Sequence, residues 1–476
     1  MNIISAIHSE KLFKSCFRDL KTWSSWICLL KALFALEMNK KEFSLYQECT
    51  GRKSAPVSEC KESWIIVGRR GGKSFIAAII ALYLALFYDY QKFLGPGESG
   101  VIQIVASDRS QAGVILGYIK GILKANPIFF QYVLSELRES VELTNRISIE
   151  TMTCSYRSVR GRTVVCGIFD EMSFWRTADA ANPDREILAA TRPSMATIPT
   201  SKLIVISSPY SQWGCVYETY KSYYGVDDPE ILVWKAPTQV MNPTISQSLI
   251  DRETKKDSIS ARSEWYAEFR EDLELFLSRE MVEACCSLSG TLAPRQFHSY
   301  KSFCDPSGGR NDSFTLAVGH NESSKVICDF LKDWIPPFNP ESVVKEIADI
   351  LKNYRTDKIV GDRYAAEWVS SAFEKQGIRY ESCEKNKSDL YLNFEGYLNT
   401  QMTELPNNPK LINELISLER RKGKAGKDSV DHPPRGSDDL ANACAGLVYE
   451  GMVGAEKLIP HIRAGVDYGN LQISSG

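Results

Sequence analysis

No C-x-x-C pair occurs in this chain, although it carries thirteen cysteines. The one close pair is the adjacent Cys285-Cys286, and the five histidines are scattered. Structural zinc modules need ligands at short, repeated spacings, so that class is excluded, and the cysteines read as reduced, buried thiols of a cytosolic protein. Charge of one sign is also missing: 57 basic residues face 59 acidic ones, a net charge of −2. That balance neither demands nor excludes nucleic acid, because a basic groove can hide inside an even total. The longest apolar run, FIAAIIALYLALF (Phe75 to Phe87), has 13 residues, short of the ~20 that cross a bilayer. The opening stretch MNIISAIHSEKLFKSCFRDLK mixes acids and bases and has no apolar core of the signal-peptide kind. No internal repeat is visible. These absences point to a soluble protein, cytoplasmic and without a membrane partner.

What remains is a chain of 476 residues, 43% hydrophobic, enough for two or three packed domains. Residues 11–48 carry apolar positions near a 3.6-residue period and read as helical. Strand-like runs follow, each alternating with a helix: Trp64-Ile65-Ile66-Val67, then 100–108, 164–174 and 201–210, with the apolar helix 75–87 and a second helix at 112–125 between them. Alternation of this kind predicts an open, largely parallel α/β sheet. Residues 270–296 read as a helix and connector. From 300 a second series begins, with hairpin-spaced strands at 300–309, 313–320 and 325–334 and then alternating helix and strand. The expected organisation is a first domain over 1–275, whose residues 1–60 are a helical N-terminal part, a linker over 276–296, a second α/β domain over 297–455, and a peripheral tail over 456–476.

The stretch SWIIVGRRGGKSF places a glycine-rich turn between a strand and a helix. It ends as phosphate-binding loops do, in Gly72-Lys73-Ser74, but the glycine that G-x-x-x-x-G-K-[ST] requires at position 67 is Val67, and a glycine follows at Gly68. Unpaired N–H groups of Gly71, Gly72 and the helix start can cradle an anion. Lys73 would neutralise phosphate charge and Ser74 would hold Mg²⁺. Arg69 and Arg70 fill the loop; either is a solvent-facing arginine tied to an acid, or a cation reaching the phosphates, with Arg69 the preferred one. Downstream, VVCGIFDE ends a strand in Asp170-Glu171, suited to hold Mg²⁺ through water and to polarise an attacking water. LIVISSP ends another in Ser207-Ser208, where a γ-phosphate would be sensed. The order of loop, acidic pair and polar-ended strand predicts an ATPase.

The second half places aspartates at two strand ends, Asp305 and Asp362, and at a helix start, Asp438-Asp439. Carboxylates gathered without cationic partners repel one another, so their convergence suits divalent metal, and two such ions would serve phosphodiester cleavage. The same residues also read as ordinary turns and a helix cap, and Asp312 reads as a turn residue. Just ahead of Asp438, Arg420, Arg421, Lys422, Lys424 and Lys427 form either a solvated loop or a set of phosphate contacts for DNA.

Taken together, GRRGGKS, VRGRTVVCGIFDE and ISSPYSQWGCVYE in the first half, with DPSGGRNDSFTLAVGH, VGDRYAAEW and DHPPRGSDDLANACAG in the second, resemble the large subunit of tailed-bacteriophage terminases over nearly the whole chain. The resemblance implies a P-loop ATPase of the RecA-like, additional-strand type followed by an RNase H-like nuclease. It implies an ATP- and Mg²⁺-dependent motor that drives double-stranded viral DNA into a procapsid, and an endonuclease using two Mg²⁺ or Mn²⁺ ions that cuts the concatemer. Implied partners are a small subunit, the portal protein and further copies of the chain in a ring, a pentamer, acting in the host cytoplasm and transiently at the portal. By position, Arg69, Lys73 and Ser74 match the loop. Asp170 matches the metal-binding acid, Glu171 the catalytic glutamate and Ser207-Ser208 the coupling motif. Asp305, Asp362 and Asp439, with Asp438 supporting, match the nuclease acids. Some relatives carry a further acid where this chain has Asn442. Tyr46, Gln47 and Arg52 fall where adenine-side contacts would lie, or else close a helix at Gly51. A helicase or defence ATPase with a nuclease-like domain, and a prophage remnant acting only in binding, are the competing readings.

Overall fold

The computed structural model describes residues 1–154, 161–175, 183–310, 312–362, 366–422, 428–434 and 436–458. They fall into two compact units divided between Glu274 and Leu275. No described helix is long and apolar enough to cross a membrane. All thirteen cysteines are free thiols, and all but Cys16 are buried.

The first unit is built on eight strands: β1 (Glu62–Val67), β2 (Gly100–Ala106), β3 (Val133–Glu136), β4 (Ser140–Leu143), β5 (Ile147–Thr153), β6 (Thr163–Asp170), β7 (Lys202–Ser207) and β8 (Ile231–Ala236). They pair in the order β3-β4-β5-β2-β6-β7-β1-β8. From β5 to β8 every pairing is parallel, and β3 and β4 add an antiparallel edge. Strands buried on both faces have no polar side to show, which is why β1, β2, β6 and β7 read as continuous apolar runs. The decisive feature is β7, inserted between the strand that feeds the glycine-rich loop and the strand that ends in Asp170. This is the additional-strand arrangement expected of the first domain.

The helix Lys73–Phe87 runs behind the loop, with Ile76, Ile79, Ile80, Leu82 and Leu84 at most 1% exposed. Each such side chain contributes roughly 1.5–3 kcal/mol relative to exposure. The helical N-terminal part is less regular than its periodicity implies. Two short 3₁₀ turns at 14–16 and 20–23 precede the helices Ser24–Leu33 and Lys40–Thr50. The second of these is opened by an Asn39–Glu42 capping box and closed by Gly51 at φ 68°.

A short strand, β9 (Leu273–Leu275), precedes the second unit's own sheet. That sheet comprises β10 (Tyr300–Asp305), β11 (Phe314–Glu322), β12 (Lys325–Trp334), β13 (Lys358–Gly361), β14 (Arg379–Ser382) and β15 (Thr403–Glu404), in the order β14-β13-β10-β11-β12-β15. A β10-β11-β12 antiparallel meander is extended by β13 and β14, parallel to β10. This is the strand order of an RNase H-like sheet. The helix Asp439–Leu458 packs across it on β10, β11 and β12. The stretch 276–296, expected as a linker, is in part packed structure instead. It contains the helix Arg279–Cys285, and Phe276, Leu277, Val282, Cys285 and Cys286 are buried in the second unit's core. The expected tail lies, beyond 458, outside the described residues.

Candidate active sites

In the first unit, β1, β6 and β7 run parallel and side by side, so their carboxyl ends bring Val67, Asp170 and Ser207 to one edge. Ligands of parallel α/β sheets bind at such edges. Lys73, the first residue of its helix, is 6% exposed and turns back beneath the loop. Its ammonium donates to the carbonyls of Val67 (2.8 Å) and Gly68 (3.2 Å) and to Ser208 Oγ (2.9 Å), and lies 3.3 Å from Glu171 Oε1. Glu171 in turn accepts from the Ser208 backbone N–H at 2.7 Å. It is held in the left-handed region, at φ 51° and ψ 46°. For a non-glycine residue that conformation costs of order 1–3 kcal/mol and concentrates at functional sites. Ser207 receives the Ser173 N–H at 3.2 Å and donates to Ser173 Oγ at 3.0 Å. Asp170 is buried, reached by Gln111 Nε2 at 3.4 Å, while Ser74 is half-buried. Lys73, Glu171 and Ser208 thus form one polar cluster, with Asp170 and Ser74 on the same sheet edge.

The loop itself departs from expectation in two ways. Gly68 is not a left-handed turn residue; a side chain there would come within 2.3 Å of Thr238 Oγ1 and 2.6 Å of the Glu264 carbonyl. The positive φ values belong to Arg70 (59°) and Gly72 (100°). Arg69, the preferred phosphate contact, is paired with Glu264 at 2.9 Å, its backbone clamped between Glu264 and Thr238. Arg70 is exposed, and no acid among the described residues pairs with it. The loop is also braced from two distant segments: Trp26 Nε1 of the N-terminal part donates to the Gly71 carbonyl at 2.8 Å, and Asn242 Nδ2 donates to the Arg70 carbonyl at 2.8 Å. These braces join residues 45 and 172 positions apart, with no local signal to reveal them. Tyr46 and Arg52 are core residues, bonded to the carbonyls of Ser54 and Ile231, and only Gln47 of that trio is exposed.

In the second unit, Asp305 ends β10, and Asp362 follows Gly361, the partner of Cys304 on parallel β13. Asp438 and Asp439 open the long helix. Its approach depends on Gly446, where a side chain would come within 2.4 Å of the Phe303 ring on β10. Asp305 is partly buried at the strand end and crowded by protein atoms. That desolvation pushes its carboxyl up to about 7; an Asn442 Nδ2 donor at 2.8 Å opposes the rise, and the charges of Asp439, Asp438 and Asp362 add to it. Asp439 is also raised, by burial and then by Asp438, against the Ser313 N–H at 3.4 Å. Charge effects of this kind act only at short range, and with the β10–β13 pairing they put the four aspartates in one neighbourhood.

The donor set is all carboxylate, which suits a hard divalent cation. Among the described residues, however, no three His, Cys, Asp or Glu side chains are arranged to grip an ion. The carboxylates are gathered but not closed. Asp438 and Asp439 have different surroundings: Asp438 is 3% exposed and ion-paired to Lys387 at 2.8 Å, whereas the Asp439 carboxylate accepts from the Ser313 N–H at 3.4 Å. Glu414, not singled out from the sequence, caps the same helix by accepting from the Ala441 N–H at 3.0 Å; its carboxyl is pushed up to about 7, chiefly by burial.

The described ends of the basic stretch ahead of Asp438 are paired strands. They are β16 (Glu419–Arg421) and β17 (Ser429–Asp431), antiparallel; Arg420 is bonded to Asp428 at 2.7 Å and Arg421 lies 3.7 Å from Asp431. Arg420 and Arg421 thus have acidic partners within their own strands' surroundings. Lys422 is exposed, and Lys424 and Lys427 lie outside the described residues.

Comparison with known proteins gives the following. A family model described as the N-terminal P-loop domain of uncharacterized protein MJ0330 matches residues 31–267. No curated protein sequence matches the chain. Among solved structures, the chain is similar to the large terminase of bacteriophage HK97, at 16% identity over 82% of this chain and 91% of that one, TM-score 0.37. It is similar to the large terminase of a thermophilic bacteriophage solved in complex with ADP, at 13% identity over 83% and 95%, TM-score 0.39. Over 36% of this chain and 94% of the other, it is similar to the large terminase nuclease of thermophilic phage G20c with bound magnesium, at 18% identity, TM-score 0.32.

Proposed function

We propose that the chain is the large subunit of a viral DNA-packaging terminase, an ATP-driven translocase of double-stranded DNA that also carries a metal-dependent endonuclease. One observation carries the reading: a single chain holds a P-loop sheet with an extra strand between loop and acidic pair, followed by an RNase H-like sheet with aspartates on adjoining strand ends. Neither unit alone distinguishes a motor from other ATPases or nucleases.

In the first unit Lys73 leaves its carbonyl partners to meet phosphate charge, and Ser74 and Asp170 would hold Mg²⁺. Glu171 orients the attacking water. Ser208, bonded to both Lys73 and Glu171, moves with whichever of them nucleotide displaces, a route from hydrolysis to strand β7. Arg70 is the arginine free to reach phosphate, whereas Arg69 must first release Glu264. In the second unit Asp305, Asp362 and Asp439 would hold divalent metal, which when bound supplies charge stabilisation for phosphodiester cleavage. Packaging partners are a small subunit, a portal ring and further copies of the chain, in the host cytoplasm.

The test is protection of DNA from DNase in the presence of the cognate procapsids, ATP and Mg²⁺. Protection that depends on Lys73 and Glu171 supports the motor. ATP turnover without any DNA entering capsids overturns it in favour of a helicase or defence ATPase. Lys73→Ala and Glu171→Ala are each expected to lower ATP hydrolysis by at least about 10²-fold. Asp305→Ala is expected to stop Mn²⁺- or Mg²⁺-dependent plasmid cutting.

A further inference from the structure

The two neighbouring arginines of the glycine-rich loop are treated differently by the fold. Arg70 is exposed, and no acid among the described residues pairs with it. Arg69 is held by Glu264, its guanidinium 2.9 Å from Oε1. The two side chains are 61% and 38% exposed, and an exposed ion pair is weak. What sets this one apart is that both backbones are fixed before the side chains meet. The Arg69 N–H donates to the Glu264 carbonyl at 2.6 Å, Thr238 Oγ1 donates to the Arg69 carbonyl at 2.9 Å, and the Thr238 N–H donates to the Trp265 carbonyl at 2.8 Å. Gly68 leaves room for the approach, since a side chain there would come within 2.6 Å of the Glu264 carbonyl.

A second observation fixes Glu264 from its other side. It ends the helix Ser258–Glu264. Beside it, Ser263 Oγ donates to the Pro209 carbonyl at 2.5 Å, and further on the Arg270 N–H donates to the Tyr210 carbonyl at 2.7 Å. Pro209 follows Ser208, whose Oγ accepts from Lys73 at 2.9 Å and whose N–H donates to Glu171 at 2.7 Å. The carboxylate is thus anchored between the loop and the exit of β7. Both Arg69 and Lys73, cations of one loop, rest on protein acceptors.

Building on the ATPase reading, we propose that Glu264 is a positioning residue: it holds the Arg69 guanidinium off the phosphate site until a nucleoside triphosphate takes the arginine from it. One carboxylate charge then competes with several on the polyphosphate, and a guanidinium meets either anion through paired N–H donors. A weak pair in a preorganised place suits this exchange, because breaking a buried pair is far costlier.

The experiment is steady-state ATP hydrolysis by the full chain, with ATPγS binding followed alongside by titration calorimetry. Glu264→Gln keeps the backbone contacts and removes the competing charge. Its KM for ATP and its Kd for ATPγS should both fall about threefold, the size an exposed ion pair allows, with a smaller change in kcat. That advantage over the native chain should shrink as ionic strength rises from about 0.05 to about 0.5 M, because the pair is screened. In an Arg69→Gln background, adding Glu264→Gln should change neither constant. A Glu264 that only supported the fold would lower the melting temperature and raise KM. The proposal is overturned by a KM unchanged or raised in Glu264→Gln, or by a fall in KM that persists in the Arg69→Gln background. A native chain that neither hydrolyses ATP nor binds ATPγS would overturn the ATPase reading itself, and this proposal with it.

Discussion

Asp305 carries the clearest pH signature in the protein. Its carboxyl is raised to about 7 by burial and by neighbouring aspartates, so the folded state keeps a proton that the unfolded chain releases near the ordinary carboxylate value. A raised acid of this kind stabilises the fold fully below its unfolded pKa, and that contribution is lost as pH rises through the folded value. Glu414, also at about 7, acts in the same direction. Without metal, the melting temperature of the second unit should therefore fall between about pH 5 and about pH 8. Asp305→Asn should flatten the fall, and excess Mn²⁺ should restore stability mainly at the upper end. A melting temperature that rises with pH, or a slope indifferent to Asp305→Asn, would contradict the crowded-carboxylate description. The aspartates were legible because Asp305 and Asp362 end apolar strands and Asp439 opens an apolar helix. Lys387 and Glu414 were not: Lys387 meets Asp438 across 51 residues and Glu414 meets the Ala441 N–H across 27, and the bond of Asn442 to Asp305 spans 137. The partner of Arg69 was hidden for the same reason, since Glu264 is nowhere near it in sequence.

Two elements hold their sites through single close contacts. The helix Asp439–Leu458 carries Asp439 to β10 only because Gly446 lets it lie against Phe303. Ala is the better helix former by roughly 1 kcal/mol. Here, though, its methyl would sit 2.4 Å from the Phe303 ring, and overpacking costs typically ~1–3 kcal/mol. Gly446→Ala should lower thermal stability and weaken Mn²⁺ binding, because the helix start moves with its body. The double variant Gly446→Ala/Phe303→Leu should recover part of both; stability at or above the native value in the single variant would refute the contact. On the other unit, the helix Ser24–Leu33 presents Trp26 to the Gly71 carbonyl. Trp26→Phe keeps most of the apolar packing but leaves that carbonyl without its donor, a loss of about 1–3 kcal/mol. ATP KM should rise more than kcat falls, checked by steady-state hydrolysis. A kcat loss at unchanged KM would mean that Trp26 acts on chemistry instead of on the loop. Strands β1, β2, β6 and β7 were legible as apolar runs because both their faces are buried. The antiparallel edge β3-β4 was not, since half-exposed strands at a sheet's edge alternate weakly and are short.

The chain has separate cores. One set of buried clusters draws on residues 3–241, the other on residues 276–452. The two candidate sites belong to different cores, which has a thermodynamic consequence. A ligand that binds only the folded state stabilises the unit containing its site, by about 2.7 kcal/mol at a hundredfold excess over Kd. For units of this size that corresponds to a shift of roughly 5–10 °C. Calorimetry of the full chain should resolve two transitions. Mg²⁺ with ADP should raise the one belonging to residues 1–274, and Mn²⁺ alone should raise the other. Lys73→Ala should abolish the first shift and leave the second; Asp305→Ala should do the reverse. The same crossing applies to activity: Lys73→Ala should still cut plasmid, and Asp305→Ala should still hydrolyse ATP at the native rate. If ADP moved both transitions together, or if Lys73→Ala erased the Mn²⁺ shift, nucleotide and metal would be acting on one cooperative body. A cut controlled by the motor would then have to be explained by shared stability, and not by signalling between two independently folded machines.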